Sequence, residues 1–221
     1  MRPRELSRYL ADLGWRDPLA LPIEAPETHA VTDPDQPAES IDLEGLATSL
    51  HDCARCRLSE KRKTVVFGEG APDSRIMFIG EGPGAEEDRT GRPFVGQAGQ
   101  LLNRMVIAMG VQRAQTYITN VVKCRPPGNR DPKEDEIAAC SGFLDRQIDF
   151  IRPDVIVALG RFAANRLTGT DKPLGTLRGR WSHYKGVPLL ATYHPAYLLR
   201  TPADKRKVWA DLKLVMAKLA E

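Results

Sequence analysis

Four short aliphatic runs, at residues 76–80, 117–121, 154–159 and 187–193, alternate with stretches of helical periodicity at 97–109, 132–151 and 161–167, and a last such stretch spans 203–220. No other feature narrows the fold so far. Strands that are aliphatic throughout, rather than on every second residue, are buried on both faces, and strand–helix alternation supplies the helices that bury them. The chain is therefore predicted to be an α/β protein built on a parallel sheet covered on both sides. The last helical stretch carries Val208, Leu212, Leu214, Val215 and Leu219 on an apolar side, with lysines elsewhere. In such folds ligands sit outside the C-terminal ends of the strands, and the unusual residue clusters of this chain fall there.

With 221 residues, 42% of them hydrophobic, the chain can bury a core without disulfide staples, since a domain near this size hides roughly 70% of its unfolded surface. No apolar run approaches the ~20 residues of a membrane span. The opening segment, MRPRELSRYLADLGW, is charged and amphipathic without an apolar signal core, so a soluble, cytoplasmic protein is expected.

Charge and proline divide the chain. Residues 1–16 read as a short amphipathic helix, with Leu6, Tyr9, Leu10 and Leu13 at helical spacing. Residues 17–40 read as an acidic, proline-rich linker that cannot bury enough apolar surface to offset ordering entropy. The stretch 17–44 has eight acidic residues, five prolines and no lysine or arginine, which leaves 28 basic against 19 acidic groups in 45–221. A basic body behind an acidic leader is compatible with a polyanionic partner such as nucleic acid, and equally with a solvated surface.

Four clusters carry chemistry. Gly80-Glu81-Gly82-Pro83-Gly84-Ala85 follows the first aliphatic run and passes the loosest dinucleotide fingerprint. It lacks the immediate helix and the later acidic residue that such a site needs. The alternatives are a tight strand-to-loop turn or a site dense in Glu81, Glu86, Glu87, Asp88 and Phe94. The cysteines form the second cluster: Cys53-x2-Cys56, then Cys124 and Cys140, which are all four in the chain. Paired spacing in a reducing compartment favours metal thiolates over disulfides. A [4Fe–4S] cluster tolerates this spacing better than a zinc ribbon does.

Asn120 ends the second strand and offers a donor and an acceptor in one plane, suited to a base edge or to a turn. Behind it runs the Pro-rich, basic segment 123–132. His194, fixed by Pro195 after the last strand, shares a sheet edge with Glu81 and Asn120 and is placed for acid, base or electrostatic work. His29, His51 and His183 lack such company. Segment 172–185, with Arg178 and Arg180, reads as a basic loop or hairpin beside the site, or as a solvated connection.

GEGPGAEEDRTGRPFVGQAGQLL, TNVVKCRPPGNRDP, the four-cysteine pattern and YHPAYLLR, taken together, resemble the family 4, iron–sulfur uracil-DNA glycosylases over residues 41–221. The resemblance implies a four-stranded parallel sheet in an α/β/α sandwich. It also implies a structural [4Fe–4S] cluster on Cys53, Cys56, Cys124 and Cys140, away from the chemistry. By matching position, Phe94 would stack on a flipped uracil, and Asn120 would pair with its N3–H and O4. His194 would donate to O2, the backbone of Glu81 and Gly82 would contact the base, and Glu87 would crowd C5. Glu81 would organise the attacking water or the cation; other superfamily members carry an Asp where this chain has Gly82.

A related branch traps uracil-DNA covalently through a His in an inserted loop. Segment 126–132 has neither the insertion nor the His, so turnover is expected. Leu198 or Leu199 could wedge into the stack or simply pack at a helix start, and Arg200 would bind phosphate. The implied function is hydrolytic excision of uracil from DNA by a monomer, the first step of base excision repair. Two rivals share the cluster: a non-catalytic iron–sulfur DNA-binding module and a nucleotide-binding oxidoreductase.

Overall fold

The computed structural model describes residues 42–221. The expected helix at 1–16 and linker at 17–40 lie outside the described residues.

The six strands are β1 (Glu69–Gly70), β2 (Ile76–Gly80), β3 (Tyr117–Asn120), β4 (Val155–Leu159), β5 (Trp181–Tyr184) and β6 (Val187–Thr192), in the order β1-β3-β2-β4-β6-β5. The four aliphatic runs form the parallel centre, β3-β2-β4-β6, with Phe78 opposite Ile118 and Val157, and Val157 opposite Leu190. The sheet is nonetheless six-stranded rather than four-stranded, because an antiparallel strand closes each edge. Neither edge strand carries an aliphatic run. β1 is two residues long, and β5 (WSHY) alternates exposed with half-buried residues. β5 reaches β6 through Lys185-Gly186, both with positive φ (50° and 81°), the backbone that a two-residue type I′ hairpin requires.

Helices flank the sheet on both sides: α1 (Leu43–Ser49), α2 (Ala85–Thr90), α3 (Gln97–Ala108), α4 (Glu134–Ile151), α5 (Arg161–Thr168), α6 (Leu174–Leu177), α7 (Pro195–Arg200) and α8 (Lys205–Leu219). Because side chains alternate along a strand, each central strand feeds two cores. Phe78, Val157 and Leu190 pack with Leu101 and Met105 of α3 and Val208, Leu212 and Val215 of α8. Met77, Ile79, Ile156 and Ala158 pack on the other face with Leu144 and Ile148 of α4 and Ala163 and Leu167 of α5. Each fully buried Phe, Val, Leu, Ile or Met among them stabilises the fold by roughly 1.5–3 kcal/mol. Leu214, expected on the apolar side of α8, is exposed at the margin of that helix.

A third, small core joins Leu46 of α1 and Leu50, which caps that helix, to Phe143 of α4, with the Arg55 guanidinium over the Phe143 ring at 4.6 Å. It pins the Cys53–Cys56 segment against α4. At the far side, buried Asp211 of α8 accepts from Thr192 Oγ1 (2.6 Å) and from Arg178 (2.7 Å), which locks the end of β6 in place. Among the described residues no helix is long and apolar enough to cross a membrane.

Candidate active site

Strands β2, β3, β4 and β6 all point their C-terminal ends at one side of the molecule, and the first chemistry-bearing loop leaves β2 there. A Cβ on Gly80, the last residue of β2, would fall 2.4 Å from Asn120 Oδ1 and 2.5 Å from Phe94 Cζ. Only bare backbone lets those two side chains meet in front of it. Gly82 is equally tight, since a Cβ there would lie 2.8 Å from Val122 Cγ2.

α2 then starts, and Glu87 in its first turn closes the loop. Its Oε2 accepts from Gly84 N–H (3.1 Å), and its Oε1 accepts from the N–H groups of Val95 and Gly96 (both 2.9 Å). Three amides thus hold one carboxylate, which fastens the segment carrying Phe94. Phe94 itself sits at φ 51°, a left-handed conformation that costs a non-glycine residue about 1–3 kcal/mol. Arg113 holds it there by donating to Pro93 O (2.6 Å) and Phe94 O (3.4 Å). The buried Phe94 ring lies 5.6 Å from the His194 ring, tilted by 33°.

Asn120 ends β3 with 1% of its surface exposed. The residue lines the cavity, and its Oδ1 is buried with no hydrogen-bond partner. Leaving a buried acceptor unpaired costs about 1–3 kcal/mol, so this side chain is held against the preference of the fold. Its backbone is anchored from behind by Lys123, which has no exposed surface. Lys123 Nζ donates to Asn120 O (2.7 Å), Thr119 Oγ1 (2.6 Å) and Gln147 Oε1 (2.6 Å). Burial pushes this lysine down to about 7, while three acceptors match the three N–H bonds of an ammonium.

His194 caps α7: its Nδ1 accepts from Ala196 N–H at 3.1 Å. A backbone amide can only donate, so Nδ1 is unprotonated and the neutral ring carries its proton on Nε2. Burial, and secondarily the Arg200 charge, push His194 down to about 4 against the opposing pull of Glu87. The ring is therefore a neutral donor at physiological pH. Glu81 behaves in the opposite sense. Burial, then the negative charge of Asp131, push it up to about 7, with Arg161 pulling the other way. Asp131 and Arg161 approach to 3.7 Å.

These groups line one cavity of about 420 Å3, within the range of small-molecule sites. Glu81, Gly82, Glu87, Phe94, Asn120, His194 and Arg200, all singled out in the sequence, meet in it. Leu198 does not. It is 1% exposed and packed in the core beside α3, which corrects its assignment as a DNA-contacting wedge. Its neighbour Leu199 is 40% exposed. His51 and His183 are exposed, and His29 lies outside the described residues. The sequence reading missed Asn129, Arg130 and Asp131 on the loop after β3, and Tyr197 of α7, as lining residues. An acidic residue ending a Pro/Gly-rich basic loop was the only available signal for Asp131.

On the α4 side, the four cysteines are unpaired thiols, with Cys124 and Cys140 buried and Cys53 and Cys56 half-buried. Arg62 bridges the two halves of the set, donating to Cys53 O (2.6 Å) and to Cys124 Sγ (3.5 Å), while Lys123 N–H approaches Cys140 Sγ at 3.5 Å. Burial raises the Cys140 thiol, Lys123 opposes that, and the Cys56 and Cys53 charges add to it. Among the described residues no three His, Cys, Asp or Glu side chains stand close enough together to hold a metal ion. Four thiols and no nitrogen or oxygen donor make up the ligand chemistry of an iron–sulfur cluster.

The family model of the uracil DNA glycosylase superfamily matches residues 67–213. A type-4 uracil-DNA glycosylase of Thermotoga maritima is 47% identical over 175 residues, covering 77% of this chain and 91% of its own. The type-4 enzyme of Sulfurisphaera tokodaii is 44% identical over 182 residues, covering 78% and 83%. A type-5 uracil-DNA glycosylase of Pyrobaculum aerophilum is more distant, 32% identical over 185 residues and covering 67% and 80%. With its glycine loop, buried asparagine and neutral histidine gathered at one sheet edge, the chain belongs to the uracil-DNA glycosylase superfamily, in its type-4 branch.

Proposed function

We propose that the protein is a monofunctional uracil-DNA glycosylase that flips uracil out of DNA and hydrolyses its N-glycosidic bond, leaving an abasic site for base excision repair. The observation that carries this reading is Asn120, which lines the cavity with Phe94 and His194 and whose buried Oδ1 has no hydrogen-bond partner. An acceptor there suits the N3–H of uracil, while cytosine presents a bare N3 and would leave Oδ1 unpaired. A well-formed bidentate base contact discriminates by about 1–3 kcal/mol.

The chemistry follows from charge. Extruding the base costs a few kcal/mol, offset in part by stacking on Phe94. As the glycosidic bond lengthens, the sugar becomes cationic and the base becomes an anion. Oriented donors in a water-poor site stabilise that anion strongly; the Nε2–H of neutral His194 would do so at O2. Glu81, as carboxylate, would hold the water or face the sugar cation, with Gly82 leaving room for the base. Glu87, immobilised by three amides, would form a rigid wall against a 5-methyl group. Arg200 would take a phosphate, and exposed Leu199 would fill the gap in the stack.

Cys53, Cys56, Cys124 and Cys140 would hold a [4Fe–4S] cluster; the all-thiol donor set and the adjoining Arg62 and Lys123 charges support this assignment. Such a cluster would supply a cross-link between the 53–56 segment and the β3–α4 excursion, rather than any reaction step. We further assign residues 41–221 as the catalytic domain, 1–16 and 17–40 as a helix and linker ahead of it, and a cytoplasmic monomer as the working form.

The test uses a labelled oligonucleotide carrying one uracil, single-stranded or paired with guanine. A strand break appearing only after hot alkali is the expected result. Intact DNA from iron-replete protein would overturn the reading in favour of a non-catalytic DNA-binding module, and an alkali-independent upshifted band would mean covalent trapping.

A further inference from the structure

The two-residue edge strand β1 delivers Glu69 to a pair of arginines. β1 joins the sheet through Glu69 opposite Ile118 and Gly70 opposite Tyr117. A Cβ on Gly70 would fall 1.8 Å from Thr116 O, so only glycine lets the strand close on that edge. Arg92 forks onto the Glu69 carboxylate, Nε to Oε2 at 2.7 Å and Nη2 to Oε1 at 2.8 Å, and Arg113 Nε lies 3.5 Å from Oε1. The Arg92 hydrogen bond, helped by the charges of both arginines, holds this carboxyl below the usual carboxylate range although burial opposes it.

Arg113 spends the rest of its fork on the segment that carries the stacking ring. Its Nη1 donates to Asn103 Oδ1 (2.7 Å) and Phe94 O (3.4 Å), and its Nη2 donates to Pro93 O (2.6 Å). One guanidinium thus ties β1 and α3 to two successive carbonyls. Its own backbone is fixed as well, since Thr116 N–H and Oγ1 both donate to Arg113 O (3.0 and 2.8 Å).

Phe94 needs such a holder. A bulky residue at φ 51° lies outside its favoured regions, and that conformation persists only where the surroundings over-determine it. Glu87 fixes the downstream amides of Val95 and Gly96. Gly99 of α3 leaves room for the peptide itself, because a Cβ there would fall 1.9 Å from Phe94 O. Arg113 supplies the upstream half of the clamp. Glu87 and Phe94 line the cavity, whereas Glu69 and Arg113 stand outside it.

We propose that Glu69 and Arg113 are positioning residues for the reaction: together they fix the 93–94 backbone, so that the Phe94 ring is set beside His194 before a base arrives. The inference rests on the glycosylase reading above for the identity of the stacked base. Neither side chain reaches the cavity, so both act through Phe94.

The experiment is a double-mutant cycle on the single-turnover rate of uracil excision, using Arg113→Gln and Glu69→Gln, each with and without Phe94→Ala. Arg113→Gln is expected to slow excision about 10–100-fold, because a misplacement of about 1 Å can cost on the order of 100-fold. Glu69→Gln leaves Arg113 its carbonyl partners and should cost about tenfold or less. With Phe94→Ala present, either substitution should cost no more than about twofold, since the ring they position is gone. Fluorinated phenylalanine gives a second readout. Of the six phenylalanines, the Phe94 resonance is assigned by its loss in Phe94→Ala, and it should shift in both single variants.

Equal fractional losses with and without Phe94→Ala, or a Phe94 resonance that stays in place, would overturn the inference. Should Arg113→Gln not melt cooperatively, Glu69→Gln, which only exchanges a carboxylate for an amide, carries the cycle by itself. A wild type that excises no uracil overturns the glycosylase reading instead. The fluorine shift then still decides whether Glu69 and Arg113 set the Phe94 ring.

Discussion

The backbone carbonyl oxygen of Asn120 accepts a hydrogen bond of 2.7 Å from Lys123 Nζ, so the residue placed to read a base is held from behind by a fully buried lysine. Gln147 completes the scaffold: its amide donates to Phe67 O (2.9 Å) and Tyr117 Oη (3.1 Å) while its carbonyl oxygen takes Lys123. Lys123→Met would leave Asn120 O, Thr119 Oγ1 and Gln147 Oε1 without this donor, at roughly 1–3 kcal/mol for each that stays unpaired. At about 2–4 °C per kcal/mol for a chain of this size, the expected fall in Tm is on the order of 10 °C. Thermal unfolding followed by circular dichroism measures it, and a Tm within a degree or two of wild type would show that the network is dispensable.

Asn120 itself is predicted to behave oppositely on stability and activity. Its Oδ1 is buried without a partner, so Asn120→Ala removes an unpaired acceptor along with the group that reads uracil. Tm should hold or rise, while kcat/KM for uracil falls at least ~100-fold, in the range seen when one positioned polar group is removed from an active site. Asn120→Asp should lose selectivity for uracil over cytosine as the donor of the amide disappears. A variant that unfolds in parallel with losing activity would place Asn120 among ordinary structural residues.

Gly80→Ala tests the geometry from the other side. The new methyl would overlap both Asn120 Oδ1 (2.4 Å) and Phe94 Cζ (2.5 Å). Overpacking of this kind costs about 1–3 kcal/mol, which leaves a folded protein with a blocked cavity. Loss of excision with a cooperative melt retained is the expected pairing of results.

Much of this was legible from residue order alone. The four central strands announce themselves because they are buried on both faces and so are aliphatic throughout, as at 155–159. β1 stayed hidden and β5 was legible only as one arm of a possible hairpin in 172–185, because an edge strand needs only backbone partners on one side; Glu69-Gly70 and Trp181–Tyr184 carry no aliphatic run. The site residues at or just past a strand end, Glu81, Asn120 and His194, were readable as such. Asp131 was not, because its effect on Glu81 depends on a loop fold that spacing does not encode. Leu198 and Leu199 are adjacent and chemically identical, and only the register of α7 decides that the first is core and the second exposed.

The thiol set gives a prediction with a visible readout. Cys140→Ser or Cys124→Ser removes one of four ligands and, in the cluster reading, should reduce bound iron and the accompanying absorbance together with Tm. Catalysis per folded molecule should change far less than in Asn120→Ala, because α4 and the 53–56 segment lie across the sheet from Phe94 and the α3 core. Iron analysis beside single-turnover rates separates the two effects. Iron-free protein with unchanged Tm would remove the structural role assigned to the cluster.

Glu81 sets the pH dependence. Its carboxyl is pushed up to about 7 by burial and by Asp131, so it is largely neutral at pH 6 and ionised at pH 8. If the carboxylate is the working form, single-turnover excision rises with pH through an inflection near 7. His194, pushed down to about 4, adds no step in that range. Asp131→Asn removes the neighbouring negative charge and should move the inflection to lower pH, while Glu81→Gln should abolish it and lower the rate at least ~100-fold. Stability runs the other way. A carboxyl whose folded pKa is raised above its ordinary value of 4.5 contributes most below that value, and the contribution is lost as pH climbs through 7. Glu81→Gln should therefore be more stable than wild type at pH 8 and not at pH 4, and a pH-independent difference in Tm would contradict the assignment.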